Sequence, residues 1–471
     1  MNLPNYFLAD LPPEAELTPT IIVAACDTLK RNREKYLEPR STDEMINFLC
    51  ELGAEWLRPE NKFRQLALKS QVGVQASACS PDTLKRELQS SGVPFTGFSP
   101  PILARGLDDF FRRFTPENFQ ALLAQDLGAD FASQLWHGPN LLVHVAAGNL
   151  PNPALMSLTL GLLTRSAQFM KCASGASLLP RLFAHSIYEL DRKLGSCLEL
   201  AEWRGGRLEL ENALFAHADC VTATGSDEAL AAIRARVPQN CRFLGYGQRV
   251  SFGFIAREML REETVAQVFA RAVDDVVAWD QNGCLSPHVF YVEEKGGVES
   301  DKFAALLAAE FMRRETIEPR GKIPVEESAA IASKRAIYEA LATHRGDVKI
   351  WASPNSTAWT VVFEHELRFH FSPLNRFIFI KPVPDAKAVL QGVDEISGGI
   401  STVGVAAPPE KMKELARLFA CHGATRICPL GQMQNPPLIW RHDGRPALGD
   451  LVTWTDFEQN GETRIARIGT N

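Results

Sequence analysis

No stretch of this chain keeps apolar side chains together for the roughly 18 residues that a membrane span needs, so a transmembrane helix is not expected. The opening residues, MNLPNYFLADLPPEAEL, are acidic and broken by prolines. They lack the basic flank and apolar core of a secretory signal, and the expected location is the cytoplasm. An excess of positive charge is also missing. Lys and Arg number 50 against 56 Asp and Glu, a net charge of −6, which argues against nucleic acid or an anionic membrane as a partner. Cysteine is too sparse for a disulfide framework, with ten in 471 residues and no C-x-x-C spacing. Cys421 and Cys428, with His422 between them, do not have the paired spacing of a structural zinc site, and no metal is expected. There is no internal repeat and no low-complexity tract.

What is present is an ordinary globular balance, 45% hydrophobic and 23% charged residues, over a length that suggests about three domain-sized units. Residues 1–135 read as mostly helical. STDEMINFLCELGAEWL has apolar residues at helical spacing, Ser41 as an expected cap and Glu44 three positions later. The pattern changes at Leu141. LLVHVAAGN, AQFMK, DCVTATG, CRFLGYG and VSFGFIA read as strands, with helices between most of them. Alternation of this kind predicts an α/β fold with parallel sheets covered on both faces. Residues 136–256 are expected to form a Rossmann-like cofactor domain and 257–435 a second α/β domain. The segment 436–471 is expected to return to the cofactor domain or to an oligomer interface.

Several residues carry candidate chemistry, each with a plainer reading beside it. Cys284 lies in DQNGCLSPH, after the helix-like TVAQVFARAVDDVVAWDQ and before the strand HVFYVEE. It is either a small buried apolar residue or a nucleophile. Gly283 lets the backbone approach a ligand and Pro287 stops the helix; a thiol with the ordinary pKa of about 8.5 would need local activation. Asn149, at a strand end before Pro151, is either a turn residue or a donor to a developing oxyanion. Lys171 ends the second strand, where ligands bind in open α/β sheets, or it is simply solvated. Ser174 and Gly175 follow it and are neutral, with no acid to hold ribose hydroxyls or repel a 2′-phosphate. Gly225 and Ser226 open a helix whose first amides can face a pyrophosphate, although a glycine turn is common to βα units. His144 is expected to be a satisfied core histidine. HELRFH, from His365 to His370, resembles a zinc-protease helix but would set its histidines about 140° apart. SGGISTVG lacks the Lys-Ser/Thr ending of a Walker loop.

Taken in order, Asn149-Leu150-Pro151, Lys171, Thr224-Gly225-Ser226 and Cys284 resemble the aldehyde dehydrogenase superfamily. GYGQRVSFGFIA, AWDQNGCLSPHVFYVE and HDGRPALGDLV are similar to segments of its bioluminescence-type long-chain acyl-CoA reductase (LuxC-like) branch. The resemblance implies an aldehyde dehydrogenase-like fold and NADPH-dependent reduction of a fatty acyl-CoA to the aldehyde. It implies that Cys284 holds the acyl group as a thioester, with Asn149 and the Cys284 backbone N–H as the oxyanion hole. Lys171 would contact the adenosine ribose, with Ser174 in place of an acidic residue there, and Gly225 and Ser226 would contact the pyrophosphate. An acyl-transferring or synthetase partner and a homo-oligomer, dimer or tetramer, are implied as well. Where hydrolytic relatives carry a glutamate base, the stretch FLGYGQR has Phe243 or Gly245. Glu364 or Glu366 is then the alternative source of a carboxylate. An acyl-phosphate reductase of similar fold and an inactive acyl-binding scaffold subunit remain open readings.

Overall fold

The computed structural model describes residues 3–12, 14–69, 97–132 and 135–456. Fourteen strands, numbered along the chain, form three sheets among the described residues. β1 (Trp136–His137) and β14 (Thr453–Trp454) make an antiparallel pair. β2 (Leu141–Val145), β3 (Ala167–Cys172), β4 (Leu198–Glu202), β5 (Cys220–Thr224) and β6 (Arg242–Tyr246) form an all-parallel sheet in the order β4-β3-β2-β5-β6. β7 (Val250–Ile255), β8 (Pro287–Glu293), β9 (Val348–Ala352), β10 (Thr360–Glu364), β11 (Phe377–Val383), β12 (Ile400–Ala406) and β13 (Arg426–Pro429) form the third, in the order β13-β12-β7-β8-β11-β10-β9. Only β9 runs antiparallel to its neighbour in that sheet.

The five-stranded sheet is buried from both sides because side chains alternate across it. Leu141, Val143, Ala167 and Phe169 meet Ile22, Cys26 and Leu29 of the helix Pro19–Asn32 together with Leu210 and Leu214 of the helix Leu208–Phe215. Met170, Cys172, Leu198 and Leu200 face the helices Asn152–Leu163 and Leu178–Leu190. The strands therefore read as continuous apolar runs, as parallel strands do.

Before residue 136 the described residues contain helices and no strand. The helix Thr42–Leu57 starts as expected: Ser41 Oγ accepts from Glu44 N at 3.1 Å and Glu44 Oε2 accepts from Ser41 N at 2.7 Å. Its Trp56 is fully buried, donates to Ser186 Oγ at 2.8 Å and stacks on Phe111 at 5.0 Å. That indole ties the helical region to the five-stranded unit. The helix Pro100–Phe111 reaches the second unit, since Gly106 packs directly on the ring of Trp279.

Two elements differ from the sequence reading. β4 was not anticipated, because Glu199 and Glu202 interrupt its apolar run. It is an edge strand, and Glu199 Oε1 accepts from Leu8 N at 2.7 Å where the N-terminal segment covers that edge. β7, read with the cofactor unit, pairs instead with β8 and β12, so the crossing between sheets falls at residues 247–249 rather than at 256.

Candidate active site

The strand order of the five-stranded sheet reverses between β2 and β5, whose chains leave in opposite directions; ligands sit outside the carboxyl ends of strands at such a point. The chain leaving β2 carries Asn149 to the segment that holds Cys284. Asn149 Nδ2 donates to Asn282 O at 2.9 Å. Two residues singled out from sequence positions 135 apart are thus brought to one loop, with one amide hydrogen of Asn149 committed to that carbonyl.

The cysteine segment is not the simple helix end that its sequence suggests. The helix Val265–Val277 stops, and Trp279, Asp280 and Gln281 adopt left-handed backbone with φ of 54°, 49° and 64°. Each such residue costs of order 1–2 kcal/mol. A second left-handed triplet, Leu374, Asn375 and Arg376, lies against it with φ of 62°, 55° and 66°. The two lock together. Arg376 Nε donates to Asp280 Oδ1 at 2.8 Å, Gln281 Nε2 donates to Phe377 O and Pro287 O at 2.8 Å, and Gln281 Oε1 accepts from Phe377 N at 2.8 Å. Ser251 Oγ of β7 donates to Cys284 O at 2.7 Å. The nucleophile candidate is therefore held on the rim of the seven-stranded sheet by buried polar contacts, a support that no local sequence motif announces.

Cys284 opens into an apolar cavity. Leu150, Met156 and Leu160 from the helix after β2, Phe110 from the N-terminal helices, Trp279, and Pro437, Leu438 and Trp440 from the C-terminal segment line it. No Asp or Glu lines it among the described residues. Burial, and then the nearby Asp443, push the Cys284 thiol up to about 11. Ser401 and Arg249 act in the opposite direction, as the expected activation would, but burial outweighs them and favours the protonated thiol at neutral pH.

The missing carboxylate has a register explanation. Side chains alternate along β6, so Leu244 and Tyr246 face the cavity side while Phe243 lies on the other face under Arg234. Glu364 does not substitute. It ends β10, bonded to Lys381 Nζ at 2.6 Å and His370 Nδ1 at 2.7 Å, whereas Cys284 precedes the amino end of the parallel β8. Glu366 pairs with Arg368. Glu364, Glu366 and His370 stand close enough for a metal, but the Lys381 ammonium already supplies the cation. His365–His370 form no helix.

His144 and His442 are the histidines of the cavity. His144 is the satisfied core histidine expected: Nδ1 meets Thr222 Oγ1 at 2.7 Å, Nε2 meets Gln168 Oε1 at 2.9 Å, and burial lowers its pKa to about 4. His442 was quoted in the sequence only as part of HDGRPALGDLV and was given no role. It arrives from the far end of the chain and stacks on Tyr246 at 4.6 Å.

The cofactor-side candidates gather at the carboxyl ends of β3, β4 and β5. Lys171 is largely buried, its pKa lowered by that burial, and its ammonium makes no hydrogen bond or ion pair among the described residues. Ser174 is exposed in the following loop, and Gly175 takes φ of 78° with open space around it. Gly175 N donates to Glu202 Oε1 at 2.7 Å. A carboxylate therefore does stand at this loop, contrary to the sequence expectation; it comes from the unanticipated strand β4. Gly225 N donates to Tyr246 O at 3.2 Å, so its amide is already used. Ser226 is exposed and caps the helix Asp227–Arg234, accepting from Ala229 N at 3.3 Å. An unpaired lysine, an open glycine turn and a helix start at a sheet switch point fit a dinucleotide.

Comparison with known proteins agrees with this architecture. A salicylaldehyde dehydrogenase from Pseudomonas putida G7 superposes with a TM-score of 0.66 at 14% identity, covering 95% of this chain and 92% of that one. Glyceraldehyde-3-phosphate dehydrogenase GapN from Methanocaldococcus jannaschii, solved with NADP, gives 0.64 at 11% identity over 93% and 94%. The fold is aldehyde dehydrogenase-like. In sequence, the long-chain acyl-protein thioester reductase 2 of Photobacterium leiognathi is 23% identical over 326 residues, 67% of this chain and 64% of that protein. The long-chain acyl-protein thioester reductase of Vibrio harveyi is 22% identical over 437 residues, 90% of this chain and 84% of that protein. Residues 40–454 match the family described as acyl-CoA reductase (LuxC), and the chain belongs to that family.

Proposed function

We propose that the protein reduces a long-chain acyl thioester, acyl-CoA or an acyl group carried on a partner protein, to the aldehyde with NADPH, through an S-acyl intermediate on Cys284. The observation that carries this reading is the cavity itself: apolar walls suited to an acyl chain and, among the described residues, one cysteine and no carboxylate lining it. Cys284 attacks the thioester carbonyl carbon, and the bond to the departing thiol breaks as the new S–C bond forms. Asn149 Nδ2 and the Cys284 backbone N–H hold the oxygen of the tetrahedral intermediate. A reduced nicotinamide, when bound, supplies hydride to the acyl carbon. Lys171, Ser174, Gly225 and Ser226 contact that cofactor, with Lys171 offering positive charge to a 2′-phosphate and Glu202 opposing it. Without a lining carboxylate, water is poorly activated and the thioester persists until it is reduced. The names of the P. leiognathi and V. harveyi relatives support a protein-borne acyl donor and hence a partner protein. A cytoplasmic homo-oligomer is part of the same proposal.

The test has two arms. Acyl-CoA of graded chain length, without cofactor, leaves an adduct that peptide mass spectrometry maps to Cys284. With cofactor, oxidation of NADPH exceeds that of NADH and yields aldehyde. An adduct on another cysteine, with full activity in Cys284→Ala, refutes the assignment, and free acid as the main product refutes the reaction.

A further inference from the structure

The reaction moves protons, yet the groups usually invoked to carry them are missing. The thiol of Cys284 is protonated at rest, and no carboxylate lines its cavity among the described residues. The ionisable side chains that share the cavity with it are Arg113, His144, Tyr246 and His442. Arg113 stays cationic and cannot accept a proton. Tyr246 is pushed up to about 12 by burial and stays protonated. Both ring nitrogens of His144 already have partners. His442 differs from all three. Neither of its ring nitrogens makes a hydrogen bond among the described residues; Asp443 Oδ1 lies 3.9 Å from Nε2. Its side chain keeps 29% of its surface open.

The backbone presents this ring deliberately. Asp443 takes left-handed φ of 54° and Gly444 follows at 76°, so the chain reverses at His442. Arg249 Nε pairs with Asp443 Oδ1 at 3.0 Å and anchors the turn. Tyr246 and Trp440 hold the imidazole between them, with ring centroids at 4.6 and 4.7 Å. The charged groups around it are Asp443, Arg249 and Arg445, and burial lowers its pKa below the ordinary histidine value. A neutral imidazole with free nitrogens, facing the cavity of a protonated thiol, is a base in its working state.

We propose that His442 is the general acid–base of the acylation step. This rests on the reading of Cys284 as the acylated nucleophile. As the sulfur bonds to the thioester carbon, the thiol proton passes to a ring nitrogen of His442. When the bond to the departing thiol breaks, the resulting imidazolium returns that proton to the leaving sulfur. The exchange is balanced, with one S–C bond made, one broken, and no electrons lost.

The test uses the full chain, tetradecanoyl-CoA and no cofactor, with S-acyl Cys284 quantified by rapid quench and mass spectrometry across pH. In the wild type, acylation falls on acidification with an inflection below about 6.5, the ordinary histidine value. His442→Gln and His442→Phe lose about 10²-fold or more and lose the inflection; the Phe variant keeps a ring to stack on Tyr246, so folding is retained. Added imidazole restores acylation in His442→Ala. A loss under tenfold, or an unchanged inflection in a folded variant, overturns the role of His442. Absence of any Cys284 adduct in the wild type overturns the parent reading, and this inference with it.

Discussion

Asp280→Ala is the perturbation that best examines how the cysteine is held. Asp280 and Arg376 are 2% and 0% exposed, and each is the middle or last member of a left-handed triplet. The carboxylate bonds Arg376 Nε at 2.8 Å through one oxygen and Gly321 N at 3.0 Å through the other. Removing it leaves the guanidinium, among the described residues, with Glu315 at 2.8 Å. Breaking a buried ion pair from one side costs about 3–5 kcal/mol. The Trp279–Gln281 triplet stores about 3–6 kcal/mol of backbone strain, at 1–2 kcal/mol per residue, so the loss of one clamp is comparable with what the clamp restrains. Relaxation of that turn carries Cys284, three residues on, away from Asn149, and a displacement of about 1 Å is worth about 10²-fold in rate. Asp280→Asn keeps an acceptor oxygen and the tolerance of left-handed backbone, and is expected to cost about 1–3 kcal/mol. The assay pairs the urea midpoint with the rate of S-acyl adduct formation. Both variants lower the midpoint and slow acylation, Ala more than Asn. A cost below about 1 kcal/mol with an unchanged acylation rate in Asp280→Ala would refute the argument that this pair positions the nucleophile.

The thiol of Cys284, pushed up to about 11 by burial, should alkylate with iodoacetamide slowly at neutral pH. Its rate should rise about tenfold per pH unit without a plateau below about pH 9; a plateau near pH 7 contradicts the sign. Gly106→Ala places a methyl 2.1 Å from the Trp279 ring, and overpacking of this kind costs about 1–3 kcal/mol, seen as a lower thermal midpoint; an unchanged midpoint means the two elements separate easily. Glu202→Gln removes the negative charge beside the Ser174–Gly175 loop and should raise the ratio of kcat/KM for NADPH over NADH; a fall in that ratio places the 2′-phosphate elsewhere. Tyr246→Glu puts a carboxylate on the cavity face of β6 and should divert product from aldehyde toward free acid, whereas Phe243→Glu, on the opposite face, should not. Acid formation from the Phe243 variant alone would refute the register argument.

Much of the scaffold was legible because parallel strands are buried on both faces and write themselves as apolar runs. Leu141–Val145, Ala167–Cys172 and Cys220–Thr224 follow that rule. Leu198–Glu202 escapes it because an edge strand tolerates Glu199 and Glu202. β7 was visible as a strand, but its sheet was not, since pairing is a tertiary fact that no local pattern encodes. Within the site, Cys284, Asn149 and Lys171 stood out by residue type at element ends. The contacts that organise them were hidden for a common reason. Asp280 meets Arg376 across 96 residues, Gln281 meets Phe377 across 96, and Gly175 meets Glu202 across 27. One local signal for His442 was available: an Asp-Gly after the histidine marks a turn that can adopt positive φ, and a turn beside a ring is a way to present it.

The position of the absent base shows why residue type at an aligned position is a weaker guide than the face on which it lies. The sequence comparison pointed to Phe243 or Gly245 as the replaced glutamate, and both lack a carboxylate. On β6, however, the side chain of Phe243 belongs to the face packed with the N-terminal helix, and the cavity is met by Tyr246. The chemical difference is therefore not a single deleted acid. One part of the cavity wall, Tyr246 from the five-stranded sheet with Trp440 and His442 from the C-terminal segment, is built of aromatic rings that stack on one another. In the proposed reaction, rings of that kind exclude water from the acyl carbon, while a histidine among them passes a proton between two sulfurs without activating a water. A protonated resting thiol fits such a wall in the proposed reaction: the ion is not left waiting in an apolar cavity, and it forms as the thioester arrives to take up its charge.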